Sequence, residues 1–157
     1  MPRLIVGDSL AAKRRPMRER IAALDIGTKR IGVAISDPLA MTAQPLCVIE
    51  RRGIAEDVRQ IQTALDRYAV RCVVVGLPLE LSGREGAQAK SVRRFCAEFE
   101  ARTGWPVVLQ DERLSTAEGE RMLVAAGVRR SKRRRVIDKT AAALILQAFL
   151  DAGGGLA

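Results

Sequence analysis

From Ile21 to Pro38 the chain reads IAALDIGTKRIGVAISDP. Apolar residues carry it to Asp25, Gly27-Thr28-Lys29-Arg30 turn it, and Ile31 to Ser36 carry it onward. The pattern predicts two short strands joined by a tight hairpin, with glycine supplying backbone freedom at the bend. A hairpin also fixes direction: the second strand must run antiparallel to the first. Side chains alternate across a strand, so Ile21, Ala23 and Asp25 share one face and Ala22, Leu24 and Ile26 the other. Asp25 is then a carboxylate at the end of a buried strand. Left unpaired it would be costly, so it needs a cation, a hydrogen-bonding partner or a metal. A side chain capping its own turn is the plainer alternative.

The rest of the chain supplies layers for this hairpin. A loop from Pro38 to Gln44 leads to a third strand over Leu46–Ile49. Ile54, Val58, Ile61 and Leu65 recur at helical spacing and predict an amphipathic helix to about Tyr68. Cys72-Val73-Val74-Val75 is a continuous apolar run, the mark of a strand covered on both faces. A loop through Ser82-Gly83 precedes a second helix, Ala87 to Arg102, with Val92, Phe95, Cys96 and Phe99 as its stripe. Pro106-Val107-Val108-Leu109 opens a fifth strand. Ser115 with Glu118 three residues on is a capping-box pattern for a helix from Thr116 to about Ala126, with Gly127 as its C-cap. Residues 128–136 read as a basic loop, and a last helix runs from Ile137 or Asp138 to about Asp151. The expectation is an α/β fold, a mixed five-stranded sheet with helices on both faces. Residues 20–152 form its domain, residues 1–19 a flexible basic tail, and residues 153–157 a frayed end. Met17 is an alternative start; the preceding residues are otherwise a basic arm for nucleic acid.

Composition narrows the chemistry. The 157 residues hold 27 Lys and Arg against 18 acids, a net charge of +9, which suits a polyanionic partner. There is no histidine. That excludes Ser-His-Asp and Cys-His catalysis, histidine general bases and His-ligated zinc. Proton or metal chemistry must rest mainly on carboxylates, which favour hard ions such as magnesium or manganese. Cys47, Cys72 and Cys96 are far apart without zinc or redox spacing, so buried free thiols in a reducing cytoplasm are expected. No stretch has the length and apolarity of a transmembrane span.

Four segments in order, ALDIGTKRIGVAISDP, VVVGLPLELSG, DERLSTAEGERML and IDKTAAALILQAFL, resemble the YqgF/RuvX family. The likeness covers nearly everything from Arg20 to Leu150. The family is similar to Holliday-junction resolvases of the RuvC type, and the resemblance implies a ribonuclease H-like fold. It also implies a metal-dependent endonuclease acting on structured nucleic acid, in 5′-end maturation of pre-16S ribosomal RNA or in cleavage of four-way DNA, with RNA favoured. A non-catalytic nucleic-acid-binding module is the competing reading. An actin-like ATPase, prompted by Asp-x-Gly-Thr, needs two such domains.

Asp25, Glu112 (or its neighbour Asp111) and Asp138 lie where strands end or a helix begins, and three carboxylates without histidine suit one or two magnesium or manganese ions. In the implied fold the first and fifth strands are not neighbours, but their carboxyl ends and the last helix can converge. Asp111 and Glu112 face opposite sides if the strand persists, and the resemblance favours Glu112. Resolvases usually carry an acid in the fourth strand, where this chain reads Val74-Val75-Gly76-Leu77, so the second metal is in doubt. For phosphate the candidates are Lys29, with Thr28 beside it, and the basic run Arg129, Arg130, Lys132, Arg133, Arg134 and Arg135. Asp37, beside Pro38, suits a turn better than a metal. A monomer or homodimer is expected, with no membrane partner.

Overall fold

The structure, a computed structural model, describes residues 19–111 and 130–154, with residues 130–140 as backbone alone. β1 (Arg20–Ile26), β2 (Arg30–Ser36), β3 (Ala43–Glu50), β4 (Val70–Leu77) and β5 (Val107–Asp111) form one sheet in the order β3-β2-β1-β4-β5. β2 is antiparallel to β1 and β3, whereas β4 is parallel to β1 and β5. This is the mixed five-stranded sheet that was expected, with β2 antiparallel to β1. Within the described residues the expected elements are present, with β3 and β4 longer than their apolar runs suggested.

Alternation along the strands builds two cores. Ala22, Leu24 and Ile26 of β1, with Val73 and Val75 of β4, pack against α1 (Ile54–Leu65) and α2 (Ala87–Thr103). The helices contribute Val58, Ile61, Leu65, Val92, Phe95 and Phe99. Each large side chain buried this way contributes roughly 1.5–3 kcal/mol. Gly104, in the left-handed region at φ 79°, closes α2 by donating its amide to Glu100 O at 2.9 Å. On the other face Ile21, Ala23, Ala34 and Val74 pack against Ala142, Ile145, Leu146 and Leu150 of α3 (Arg130–Asp151). A strand flanked by helices on both sides must be apolar on both sides, and the run Val73-Val74-Val75 satisfies that.

The structure corrects the sequence at α3. Residues 130–136 are helical and continuous with the apolar part of the helix, where a loop was expected. Arg and Lys are good helix formers, and no glycine or proline interrupts the chain from Arg130 to Asp151. Charge density hid that propensity. The helix expected over Thr116–Ala126 falls outside the described residues, as do Glu112 and Arg129. All three cysteines are free, as expected, but only Cys96 is buried; Cys47 and Cys72 are half-buried. No described helix is long and apolar enough to cross a membrane.

Candidate active site

Asp25 is the penultimate residue of β1 and half-buried. It shares the α3 face of the sheet with Ile21 and Ala23, as alternation requires. Directly across on β2 its partner is Gly32. On the other side Leu24 pairs with Val75, and Gly76 pairs with Gln110 of β5. One step past that first pair, Asp25 comes level with Gly76. Glycine therefore stands beside Asp25 on both neighbouring strands, leaving space around the carboxylate that a larger side chain would fill. The missing fourth-strand acid is part of this opening.

A cleft of about 190 Å³ lies here, lined by Asp25, Gly27, Thr28, Lys29, Arg30 and Gly32. The turn over it is tight: the Gly27 amide donates to Arg30 O at 2.8 Å, and a Cβ on Gly27 would meet that same oxygen at 2.7 Å. Only glycine fits there. Thr28 and Lys29 are exposed at its tip and line the same cleft as Asp25.

Of the other acids, Asp111 ends β5 and is exposed. Val107 and Leu109 pack toward α1 and α2, so alternation puts Asp111 on that face, opposite to Asp25. Position 138 lies in α3, in line by helical spacing with Ala141, Ala142 and Ile145, all buried against the sheet. The structure thus brings Asp25 and Lys29 into one cleft and puts Asp111 on the other face. Among the described residues no three of His, Cys, Asp and Glu come close enough to hold a metal. Asp25 fits as one hard oxygen ligand in an open setting without histidine.

Asp37 plays the turn role expected of it. Its Oδ1 accepts from the amides of Met41 (2.7 Å) and Thr42 (2.9 Å). These bonds, the one from Thr42 first, hold its carboxyl below the usual carboxylate range.

Sequence reasoning missed a pair beneath the turn. Arg51, between β3 and α1, donates from Nε to Asp57 Oδ2 at 3.1 Å and from Nη1 to Gly27 O at 3.0 Å. Asp57 is fully buried, and its Oδ1 accepts from the Arg52 amide at 2.8 Å. One signal was available: position 57 lies on the apolar stripe of Ile54, Val58, Ile61 and Leu65, where an acid is out of place.

The family model for RuvX, described as Holliday junction resolvase, matches residues 19–152. The chain belongs to the RuvX family. A relative from Moorella thermoacetica, named "Putative pre-16S rRNA nuclease", is 48% identical over 132 residues, covering 84% of this chain and 94% of the relative. One of the same name from Geobacillus kaustophilus is 47% identical over 134 residues, covering 84% and 97%. Among solved structures, T. thermophilus RuvC with a Holliday junction substrate is similar at TM-score 0.49 and 19% identity, covering 87% of this RuvX chain and 97% of that one. The fowlpox virus Holliday junction resolvase is similar at TM-score 0.49 and 16% identity, covering 85% and 99%.

Proposed function

We propose that this RuvX protein is a metal-dependent endonuclease that hydrolyses phosphodiester bonds of structured nucleic acid, in 5′-end maturation of pre-16S ribosomal RNA. The observation that carries the reading is Asp25: a carboxylate at the end of a central strand, with glycine on both neighbouring strands and Lys29 at the rim. Family membership supports the chemistry, and the names of the relatives support the RNA.

Asp25, Glu112 and Asp138 would hold magnesium or manganese. Alternation turns Asp111 to the face of Val107 and Leu109, away from Asp25, and the family resemblance favours Glu112. When bound, such an ion makes water a better nucleophile and offsets charge on the leaving oxygen. The chain's own residues do the rest. Lys29 and Thr28 contact a phosphate beside the scissile bond, and the glycines let the backbone of the substrate approach Asp25 closely. Arg129, Arg130, Lys132, Arg133, Arg134 and Arg135 hold flanking phosphates by charge and bidentate hydrogen bonds. With one Trp and one Tyr in the chain, stacking platforms are scarce, so shape and backbone outweigh base reading.

The test is cleavage of labelled RNA carrying the precursor 5′ end and of four-way DNA, each with magnesium and with EDTA. Magnesium-dependent cutting of the RNA is expected. The family's description favours a second reading, junction resolution, and preferential cutting of the four-way DNA would establish it. Binding without cutting of either would reduce the protein to a nucleic-acid-binding module.

A further inference from the structure

The geometry points to Arg51 as a positioning residue that holds the Gly27–Arg30 turn, and with it Lys29, over Asp25. The inference rests on the nuclease reading for its kinetic consequence but not for its structural one. Arg51 grips the turn at two carbonyls on either side of Thr28. Its side chain donates to Gly27 O at 3.0 Å, and its backbone amide donates to Lys29 O at 2.9 Å. The guanidinium is itself fixed from behind. Nε is bonded to Asp57, and its carbon lies 5.5 Å from the ring centroid of Phe95. Asp57 is anchored in turn by its own amide, which donates to Gly53 O at 2.8 Å, and by the amide of Arg52. The cleft turn is thereby tied to both helices of the opposite layer, α1 through Asp57 and α2 through Phe95.

Chemistry explains why arginine stands here. The planar fork reaches a carboxylate and a carbonyl in two fixed directions and lies flat on an aromatic ring. A lysine ammonium can pair with Asp57 but cannot also hold Gly27 O in that geometry. Catalysis by positioned groups is sensitive to such a loss, since a displacement of about 1 Å can cost about 10²-fold in rate.

The difficulty in testing Arg51 is that its removal strands a buried charge on Asp57, which destabilises any protein. The pair Arg51→Met with Asp57→Asn separates the two effects. The Asp57→Asn change keeps a side-chain oxygen for the Arg52 amide and leaves no buried charge. Measured against Arg51→Met alone, the double variant should regain most of the lost melting temperature. Single-turnover cleavage at saturating substrate should stay down by about 10²-fold, with KM little changed. Arg51→Lys should fold well and show the same loss in kcat. Amide exchange at Gly27 and at residue 51 should be faster in all three variants than in wild type, relative to the Arg20 amide, which bonds to Ala69 O away from the cleft. Recovery of kcat together with melting temperature would overturn the proposal and leave Arg51 a structural residue. Full activity in Arg51→Lys would do the same. If wild type cuts neither substrate, the nuclease reading fails, and the exchange rates still report whether Arg51 holds the turn: unchanged rates at Gly27 refute it.

Discussion

Asp25 and Asp37 lie twelve positions apart, and the same functional group does two jobs. Asp37 gives its oxygen to two backbone amides of its own loop, and those bonds depress its pKa. A depressed carboxyl contributes stability that is present above its unfolded pKa and lost as pH falls through the folded value. The turn should therefore weaken on acidification below about pH 4, its ordinary range. Asp37→Asn keeps an acceptor oxygen but cannot titrate. Thermal melts across roughly pH 2–6, a window spanning that range, should show less acid loss in the variant, and superimposable profiles would refute the assignment. Asp25 stands in a cleft between glycines, and the function proposed above makes it a metal ligand. Asp25→Asn should abolish cleavage while melting temperature and nucleic-acid binding stay near wild type; normal cutting would remove Asp25 from the active site. Glu112→Gln should match it and Asp111→Asn should be milder, since the β5 register turns Asp111 away. The reverse ranking would exchange the two.

At the scale of elements, α3 changes what its arginines can do. On a loop the basic residues could gather on one phosphate track; on a helix the five from Arg130 to Arg135 are spread around the axis at about 100° per residue. Positions 134 and 135 flank the line of position 138 and the buried alanines, whereas position 133 lies well off it. Replacing Arg134 and Arg135 with Gln should therefore weaken binding more than replacing Arg133, and should lower the salt slope by up to roughly two contacts. Binding titrations at several salt concentrations measure this, and three equal single-variant effects would contradict the helical face. The same element shows what was legible. The hairpin, the buried β4 run and the stripes of α1 and α2 were readable because their signals are local and periodic. The start of α3 was misread because arginine-rich sequence looks solvated whether or not it is helical. The tie from Arg51 to Gly27 spans 24 positions and leaves no periodic trace; only the misplaced acid at position 57 hinted at it. Which face Asp111 takes could be known only once β5 was in register with β4.

For the molecule as a whole, Cys96 reports on cooperativity. It sits on the buried face of α2, where burial pushes its thiol up to about 11. Iodoacetamide at about pH 8, near the ordinary thiol range, should modify Cys47 and Cys72 first. It should reach Cys96 only through larger openings, at a rate that rises with denaturant. Equal rates for all three thiols would show that the α2 layer opens independently. The two cores are also unequal in when the growing chain can complete them. The layer of α1 and α2 is supplied by residues 54–103, soon after the strands it covers. The opposite face, with Ile21, Ala23, Ala34 and Val74, waits for Ala142, Ile145, Leu146 and Leu150 of the last described helix. During synthesis these side chains meet their described partners only once α3 has left the ribosome. Position 138 arrives on the same helix, so on the function proposed above a nascent chain carries Asp25 and Lys29 long before the third carboxylate, and an unfinished copy is unarmed.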